Sequence, residues 1–220
     1  MKKLIYNKFD KHKISDFRRV KFGGKIVVVI SPEEAERCVD YLLSQPVLGL
    51  DTETRPSFRK GNHYKCSLLQ VSTDDCCFLF RLNHLGLSPA IVRLLTDTTV
   101  TKVGLAWMND ILSLHELGEF QPGTFVDLQN MVRGIGIEDQ SLVKIYANLF
   151  GERISKHERL SNWERDILTD AQKDYAAIDA WACVRIYREL LRLKKSREYE
   201  LVIVPEENKN HDETDISEER

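Results

Sequence analysis

The chain has 220 residues and a formal net charge of −2, with 42% apolar and 30% charged residues. This balance predicts one soluble domain with enough apolar side chains to form a core. The longest aliphatic run, residues 26–30, is far shorter than the ~20 apolar residues that cross a bilayer, which argues against the membrane-spanning class. No apolar segment follows the basic N-terminus, so we expect no secretory signal.

The five cysteines are an odd number and lack the C-x-x-C spacing of many redox and zinc sites. This argues against a disulfide scaffold and favours reduced thiols, from which we predict a cytoplasmic location.

Charge is concentrated at the two ends of the chain. Residues 1–25 carry nine Lys or Arg against two Asp, whereas residues 206–220 carry seven acidic residues against two basic ones. We therefore divide the chain into a basic N-terminal arm (1–24), a domain (25–205) and an acidic tail (206–220) that is expected to be disordered. The arm has two open interpretations, a phosphate-binding segment or a solvated leader.

The first half of the domain is predicted to be rich in strands. A strand at 25–30 precedes a helix at 31–44, whose first residues have capping-box spacing with a proline in the first turn. A second strand covers 47–53, and two apolar segments, 66–73 and 76–81, are typical of a hairpin. Three antiparallel strands are therefore expected in this half.

Helices and strands alternate in the second half. The predicted elements are, in order, a helix at 89–95, a strand at 100–104, a helix at 107–117, a strand at 124–128, and helices at 141–150 and 169–193. The last helix opens with a capping box formed by Thr169 and Gln172. The whole order predicts a mixed α/β sheet domain.

Two pairs of residues have spacings that suit a metal site. Asp51 and Glu53 end an apolar strand two residues apart, so both side chains leave one face and can hold a divalent cation between them. Tyr175 and Asp179 are at positions i and i+4 of the last helix. Each spacing alone is common by chance, and each acid alone is more simply a cap, a surface charge or an ion pair.

The positions of the acids add weight to the metal interpretation. Asp110 follows a predicted strand near the start of a helix, and Asp179 is surrounded by apolar residues. Charges near a core are costly unless they are paired or bind metal, and the sequence offers no obvious basic partners.

The order of these residues resembles the DEDD superfamily of 3′–5′ exonucleases. The matching segments are Asp51-Thr-Glu53, Asp110 in a strand-to-helix turn, and Tyr175-Ala-Ala-Ile-Asp179. The flanking segments Ser67-Leu-Leu-Gln-Val-Ser72 and Leu160-Ser-Asn-Trp163 are similar to the ribonuclease D and Werner-syndrome exonuclease branch. None of the six histidines precedes an aspartate by five residues, which indicates the tyrosine version of the superfamily.

The resemblance implies a ribonuclease H-like mixed β-sheet flanked by α-helices, with the acids at one edge of the sheet. It also implies two Mg²⁺ or Mn²⁺ ions and the release of nucleoside 5′-monophosphates. By analogy, Asp51 bridges both ions, Glu53 and Asp179 hold the ion that carries the attacking water, and Asp110 supports the second ion. Tyr175 is expected to orient that water, because a phenol with a pKa near ~10 is a poor base at neutral pH.

Four further residues are candidates for contacts with the terminal nucleotide. Thr52 and Thr54 border the acids of the first motif, and the same position in the family often contacts substrate. Trp107 and Met108 lie beside Asp110, where they either pack the terminal base or belong to the core.

The predicted partner is nucleic acid, as single-stranded 3′ ends or 3′-recessed duplex, with no membrane partner and an open oligomeric state. DNA is slightly preferred because of the Ser-Asn-Trp segment and the single-domain size. The alternatives are a ribonuclease D-like exoribonuclease that trims structured RNA, a non-catalytic nucleic-acid adaptor, and a phosphoesterase of small nucleotides. The intact acid set argues against the adaptor.

Overall fold

A six-stranded sheet forms the centre of the computed structural model, which describes residues 2–59 and 61–205. The elements are, in chain order, β1 (Lys3–Tyr6), α1 (Lys11–Ile14), β2 (Lys25–Val29), α2 (Pro32–Leu42), β3 (Val47–Thr54), β4 (Cys66–Ser72), β5 (Cys76–Arg81), α3 (Leu82–Leu85), α4 (Pro89–Thr96), β6 (Thr101–Gly104), α5 (Met108–His115), β7 (Phe125–Asp127), α6 (Leu128–Arg133), α7 (Leu142–Phe150), α8 (Asp170–Ser196) and β8 (Tyr199–Val202).

The strand order of the central sheet is β2-β5-β4-β3-β6-β7. β4 runs antiparallel to β3 and β5, whereas the β2–β5, β3–β6 and β6–β7 pairs are parallel. The predicted hairpin and the mixed α/β sheet are therefore confirmed. The carboxyl ends of β3, β6 and β7 consequently lie at the same edge of the sheet.

Alternate residues of β3 face two different cores, as the two-residue period of a strand requires. Leu48 and Leu50 pack with the apolar faces of α2, α4 and α5. Val47 packs on the opposite face with α6, α7 and α8. Asp51 and Glu53 continue the second series, so their side chains leave β3 on the side that α8 covers.

The basic segment that precedes β2 packs against the rest of the protein. β1 pairs in parallel with β8, and the side chain of Asn148 in α7 bonds both the main-chain N–H and the carbonyl of Tyr6. Because of these contacts, residues 3–6 are not a solvated leader, which was one of the two interpretations of the basic arm. Two four-residue strands at opposite ends of the chain give no local signal, and the sequence analysis did not predict either one.

No helix within residues 2–59 and 61–205 combines the length and the apolar character that crossing a membrane requires. The acidic tail, residues 206–220, lies outside the described residues.

Candidate active site

Three carboxylates meet where β3 leaves the sheet beneath α8. One oxygen each from Asp51, Glu53 and Asp179 lies within 4.8 Å of the other two. Asp51 and Glu53 lie near the end of β3, and Asp179 lies in the third turn of α8. The structure therefore brings together three of the four predicted acids.

A glycine allows β3 and α8 to approach this closely. A Cβ atom at Gly49 would lie 2.0 Å from the carbonyl oxygen of Ala180, a distance that no side chain tolerates. Gly49 is two residues before Asp51 on the same face of β3, and Ala180 follows Asp179 directly. The backbone contact at Gly49 thus sets the distance between the carboxylates on β3 and the carboxylate of Asp179 on α8.

Glu53 and Asp179 are buried and Asp51 is half-buried, and burial together with mutual repulsion favours the protonated forms of these carboxylates. Burial, followed by the charges of Asp110 and Asp179, raises the pKa of Asp51 well above its ordinary value. Burial and the charge of Asp51 raise the pKa of Glu53 in the same way. Burial raises the pKa of Asp179 to about 7, against the lowering effects of the Tyr175 hydroxyl and the Lys156 charge.

Asp110 lies beside the cluster and is held there by Thr52. The Thr52 hydroxyl, which leaves the opposite face of β3 from Asp51, donates a hydrogen bond to Oδ1 of Asp110. Asp110 is outside the 4.8 Å group, but its charge is the largest Coulombic contribution to the raised pKa of Asp51. Burial raises the pKa of Asp110 itself to about 6.

The sequence analysis missed one acid at this edge, Asp127 at the end of β7. Its carboxylate accepts hydrogen bonds from the main-chain N–H groups of Ala106 (3.2 Å) and Gln129 (2.8 Å). Its charge also raises the pKa of Asp110. An aspartate at the end of a predicted parallel strand was the available signal, since β6 and β7 end at the same edge.

Tyr175 is buried against the segment that precedes α8. Its ring lies 5.9 Å from the ring of Trp163, which is completely buried. Burial, followed by the charge of Asp179, raises the pKa of Tyr175 above its ordinary value of 10. The hydroxyl therefore stays protonated at neutral pH and can act as a hydrogen-bond donor.

Hydrogen bonds from the sheet and from α8 fix the segment that carries Trp163. The buried guanidinium of Arg81, at the end of β5, donates to the main-chain carbonyl of Asp166 (3.0 Å). Gln172 in the capping box of α8 donates to the carbonyl of Asn162 (3.1 Å) and to the Ser161 hydroxyl (2.8 Å). Trp163 thus anchors a loop rather than offering a surface on which a base stacks.

The four predicted substrate contacts lie in different surroundings. Trp107 is 3% exposed and its ring stacks on Phe125 at 5.0 Å, so of the two alternatives left open by the sequence it fits packing in the core rather than against a terminal base. Met108, the next residue, is 66% exposed beside Asp110. Thr52 and Thr54 are half-buried on β3, and the Thr52 hydroxyl is already bonded to Asp110.

Two basic side chains face the carboxylates from the loop between α7 and α8. Lys156 and Arg159 line a cleft of about 240 Å³ together with Tyr175 and Asp179. Lys156 lowers the pKa of Asp179, and Arg159 lowers the pKa of Glu53. The cleft therefore has basic side chains on one side and carboxylates on the other. This arrangement suits a phosphate that is held by cations.

The donor set fits hard divalent cations. All three clustered ligands are carboxylates, the oxygen donors that Mg²⁺ and Mn²⁺ prefer. Within the described ranges, no Lys or Arg forms an ion pair with Asp51, Glu53 or Asp179. Buried carboxylates without such partners are stable in their charged form only when cations bind them.

Comparisons with known proteins agree with this geometry. A sequence family described as 3′-5′ exonuclease matches residues 26–194. The exonuclease 3′-5′ domain-containing protein 2 of Drosophila melanogaster is 38% identical over 151 residues, which cover 66% of this chain and 25% of that protein. The chain thus matches about a quarter of this relative's length.

Two solved structures share the fold. The Nibbler EXO domain of Aedes aegypti has a TM-score of 0.71 at 21% identity and covers 80% of this chain and 91% of that one. The ribonuclease D of Trypanosoma brucei in complex with RNA U12 has a TM-score of 0.66 at 22% identity, covering 77% and 63%. The family match spans most of the chain and includes all four predicted acids, and the chain belongs to the 3′-5′ exonuclease family.

Proposed function

We propose that this chain hydrolyses nucleic acid from the 3′ end and releases nucleoside 5′-monophosphates. The observation that carries the proposal is the cluster of Asp51, Glu53 and Asp179, whose carboxylate oxygens lie within 4.8 Å of one another in a family of 3′-5′ exonucleases. An adaptor that only binds nucleic acid has no use for three clustered carboxylates that repel one another.

The cofactors that we propose are two Mg²⁺ or Mn²⁺ ions. Asp51, Glu53 and Asp179 would hold one ion, and Asp51 with Asp110 would hold the other, which keeps the roles implied by the family resemblance. When bound, such ions lower the pKa of a coordinated water and stabilise the departing 3′ oxygen.

The other residues of the site orient the reactants. The Tyr175 hydroxyl, which stays protonated, donates a hydrogen bond to the attacking oxygen and aligns its lone pair with the phosphorus. Lys156 and Arg159 attract the phosphate backbone from the wall of the cleft. Met108 offers an exposed apolar surface to the terminal base.

Single-stranded 3′ ends and 3′-recessed duplexes are the proposed substrates, with DNA slightly preferred. The alternative substrate is RNA. This alternative is supported by the structural neighbour that was solved with RNA U12 bound. Phosphate chemistry is the same for both polymers, so contacts with the sugar decide between them. The oligomeric state is open, and the cytoplasmic location stays a prediction that is consistent with five free thiols.

The test uses a 5′-labelled single-stranded DNA and its RNA counterpart with Mg²⁺ or Mn²⁺. We expect a ladder that shortens from the 3′ end, disappears with a chelator and is absent with Asp51→Asn. Glu119→Gln, which removes a carboxylate that is 91% exposed at its side chain, is the matched control and should cleave normally. Failure of the unmodified protein to cleave either polymer, with binding retained, would favour the adaptor.

A further inference from the structure

A cavity lined by basic and aromatic side chains lies beside the carboxylate cluster, in the loop that follows β3. It has a volume of about 470 Å³, within the range of ligand sites. Its polar and aromatic lining comes from the loop after β3 and from the segment before α8, and comprises Arg55, Phe58, Arg59, Asn62, Tyr64 and Asn162. We call this cavity the Arg55–Phe58 pocket.

Chain continuity places the pocket close to the reactive centre. Arg55 is two residues after Glu53, so their Cα atoms are at most about 7 Å apart. On the other side, Asn162 precedes Trp163, whose ring packs on Tyr175. The pocket therefore bridges the two segments that lead into the carboxylate cluster.

Contacts across the pocket hold its walls in place. The Arg55 guanidinium donates to Glu164 at 3.2 Å and lies 4.6 Å from the centre of the Tyr64 ring. His63 bonds Glu116 at 2.7 Å, which ties the loop to the end of α5. The loop is thus fastened on both sides, although it connects two strands at the surface.

One aromatic ring in this fastened loop is left open to solvent. Phe58 is 81% exposed, although apolar rings of this size are usually covered. Arg59, beside it, forms no ion pair with any residue in the part of the chain that the structure describes. An open ring next to an unneutralised guanidinium matches the two parts of a nucleotide, since a base stacks on the ring and a phosphate meets the charge.

We propose that the Arg55–Phe58 pocket is a second nucleotide subsite, which binds a base and its phosphate upstream of the scissile bond. The proposal rests on the proposed exonuclease function. A strand whose 3′ terminal nucleotide lies at the carboxylates continues only in the 5′ direction, so any further nucleotide contact is an upstream one. Phe58 stacks on the base, Arg59 contacts a phosphate, and Asn62 and Asn162 offer amides to the edge of the base.

The first test measures affinity for a single-stranded 12-mer in the presence of a chelator, so that no cleavage occurs. Phe58→Ala should weaken binding by about 5- to 150-fold, the effect of one lost base stack, and Phe58→Trp should restore it. Arg59→Gln should reduce the slope of log affinity against log salt by about 0.7, the value of one phosphate contact on a single strand. Ile203→Ala, an apolar residue that is 64% exposed near β8, is the control and should bind normally.

A single abasic position then locates the subsite. Moved stepwise along the 12-mer, the abasic position should weaken binding to the unmodified protein most at one upstream nucleotide. Phe58→Ala should bind that particular strand as well as it binds the intact one, because the stack is already lost. Equal sensitivity of both proteins at every position would overturn the proposal, and would favour a protein or peptide as the occupant of the pocket.

Hydrolysis of thymidine 5′-p-nitrophenyl phosphate separates this proposal from the proposed function. The ester has no upstream nucleotide, so Phe58→Ala should leave its hydrolysis unchanged while KM for the 12-mer rises. Equal losses on the ester and the 12-mer would overturn the subsite, because Phe58 would then act on the reactive centre. If the unmodified protein hydrolyses neither compound, the exonuclease function fails, and the binding and abasic measurements still decide the pocket.

Discussion

The hydroxyl of Thr52 donates a hydrogen bond to Oδ1 of Asp110, which joins β3 to the first turn of α5 at the edge of the sheet. Asp110 is not among the three carboxylates that lie within 4.8 Å of one another. The residue between Asp51 and Glu53 therefore holds the fourth acid beside the other three. Hydrogen bonds of this kind, to an ionised acceptor, are stronger than neutral ones.

We predict that Thr52→Val lowers kcat by about 10- to 100-fold with little change in KM. The loss corresponds to about 1.5–3 kcal/mol for a hydrogen bond to a charged group. Steady-state kinetics on a 5′-labelled oligonucleotide measure it. Thr52→Ser keeps the hydroxyl and should retain most of the activity, and equal defects in the two variants would contradict this role.

The metal-free protein should become less stable as the pH rises. Burial raises the pKa of Asp110 to about 6 and that of Asp179 to about 7, so the folded protein keeps protons that the unfolded chain releases near pH ~4. This stabilisation is complete below about pH 4 and is lost as the pH passes the raised values. Urea unfolding in a chelator at pH 5, 6, 7 and 8 should show a falling free energy of unfolding.

Asp179→Asn is the variant that isolates this effect. It should flatten the fall and stabilise the metal-free protein at pH 8 by on the order of 1–4 kcal/mol, because burial penalises the charged Asp179 carboxylate at that pH and the amide carries no charge. Mn²⁺ or Mg²⁺ at 100 times its Kd should stabilise the unmodified protein by about 2.7 kcal/mol. A similar gain in the Asp179→Asn variant would show that the cations bind elsewhere.

Tyr175→Phe should lower kcat by about 100-fold or more without changing the pH dependence of the reaction. Burial and Asp179 keep the pKa of the Tyr175 hydroxyl above its ordinary value, so this group orients an oxygen and does not accept its proton. Rates measured from about pH 6 to 9 give the two profiles. Loss of one limb of the profile in the variant would identify Tyr175 as a base instead.

Trp163→Ala should cost about 3–5 kcal/mol of stability, because a completely buried ring leaves a cavity against Tyr175. Trp163→Phe should cost much less, since the indole Nε1 has no hydrogen-bond partner among the described residues and the phenyl ring still supports Tyr175. Urea unfolding measures both variants. If Trp163→Phe binds nucleic acid more weakly at unchanged stability, the ring contacts substrate after all.

Local patterns were sufficient to predict the elements that carry the acids. Apolar runs identified β3 and β6, and the capping box identified the start of α8, so the positions of Asp51, Asp110 and Asp179 relative to these elements followed from the sequence. The class of fold also followed, because strands that precede alternating helices and strands favour a mixed sheet.

Local sequence patterns could not predict the features that depend on contacts between residues far apart in the chain. The burial of Trp107 depends on Phe125 and on the close approach of its ring to Gly104, where a Cβ atom would lie 2.9 Å from it. The role of Asp127 depends on the pairing of β6 with β7, which a three-residue strand signals weakly. The pairing of β1 with β8 joins residues more than 190 positions apart.

The contact of Gly49 with Ala180 also has a consequence for the choice between ions of different radius. A strand and a helix that touch through their backbones cannot move closer together, and the cores on either side keep them from moving apart. Ca²⁺ needs oxygen ligands at 2.3–2.6 Å and adaptable geometry, whereas Mg²⁺ needs them at 2.0–2.1 Å. We therefore expect the fixed main chain, together with the carboxylates, to limit the range of cation radii that the proposed metal centre accommodates.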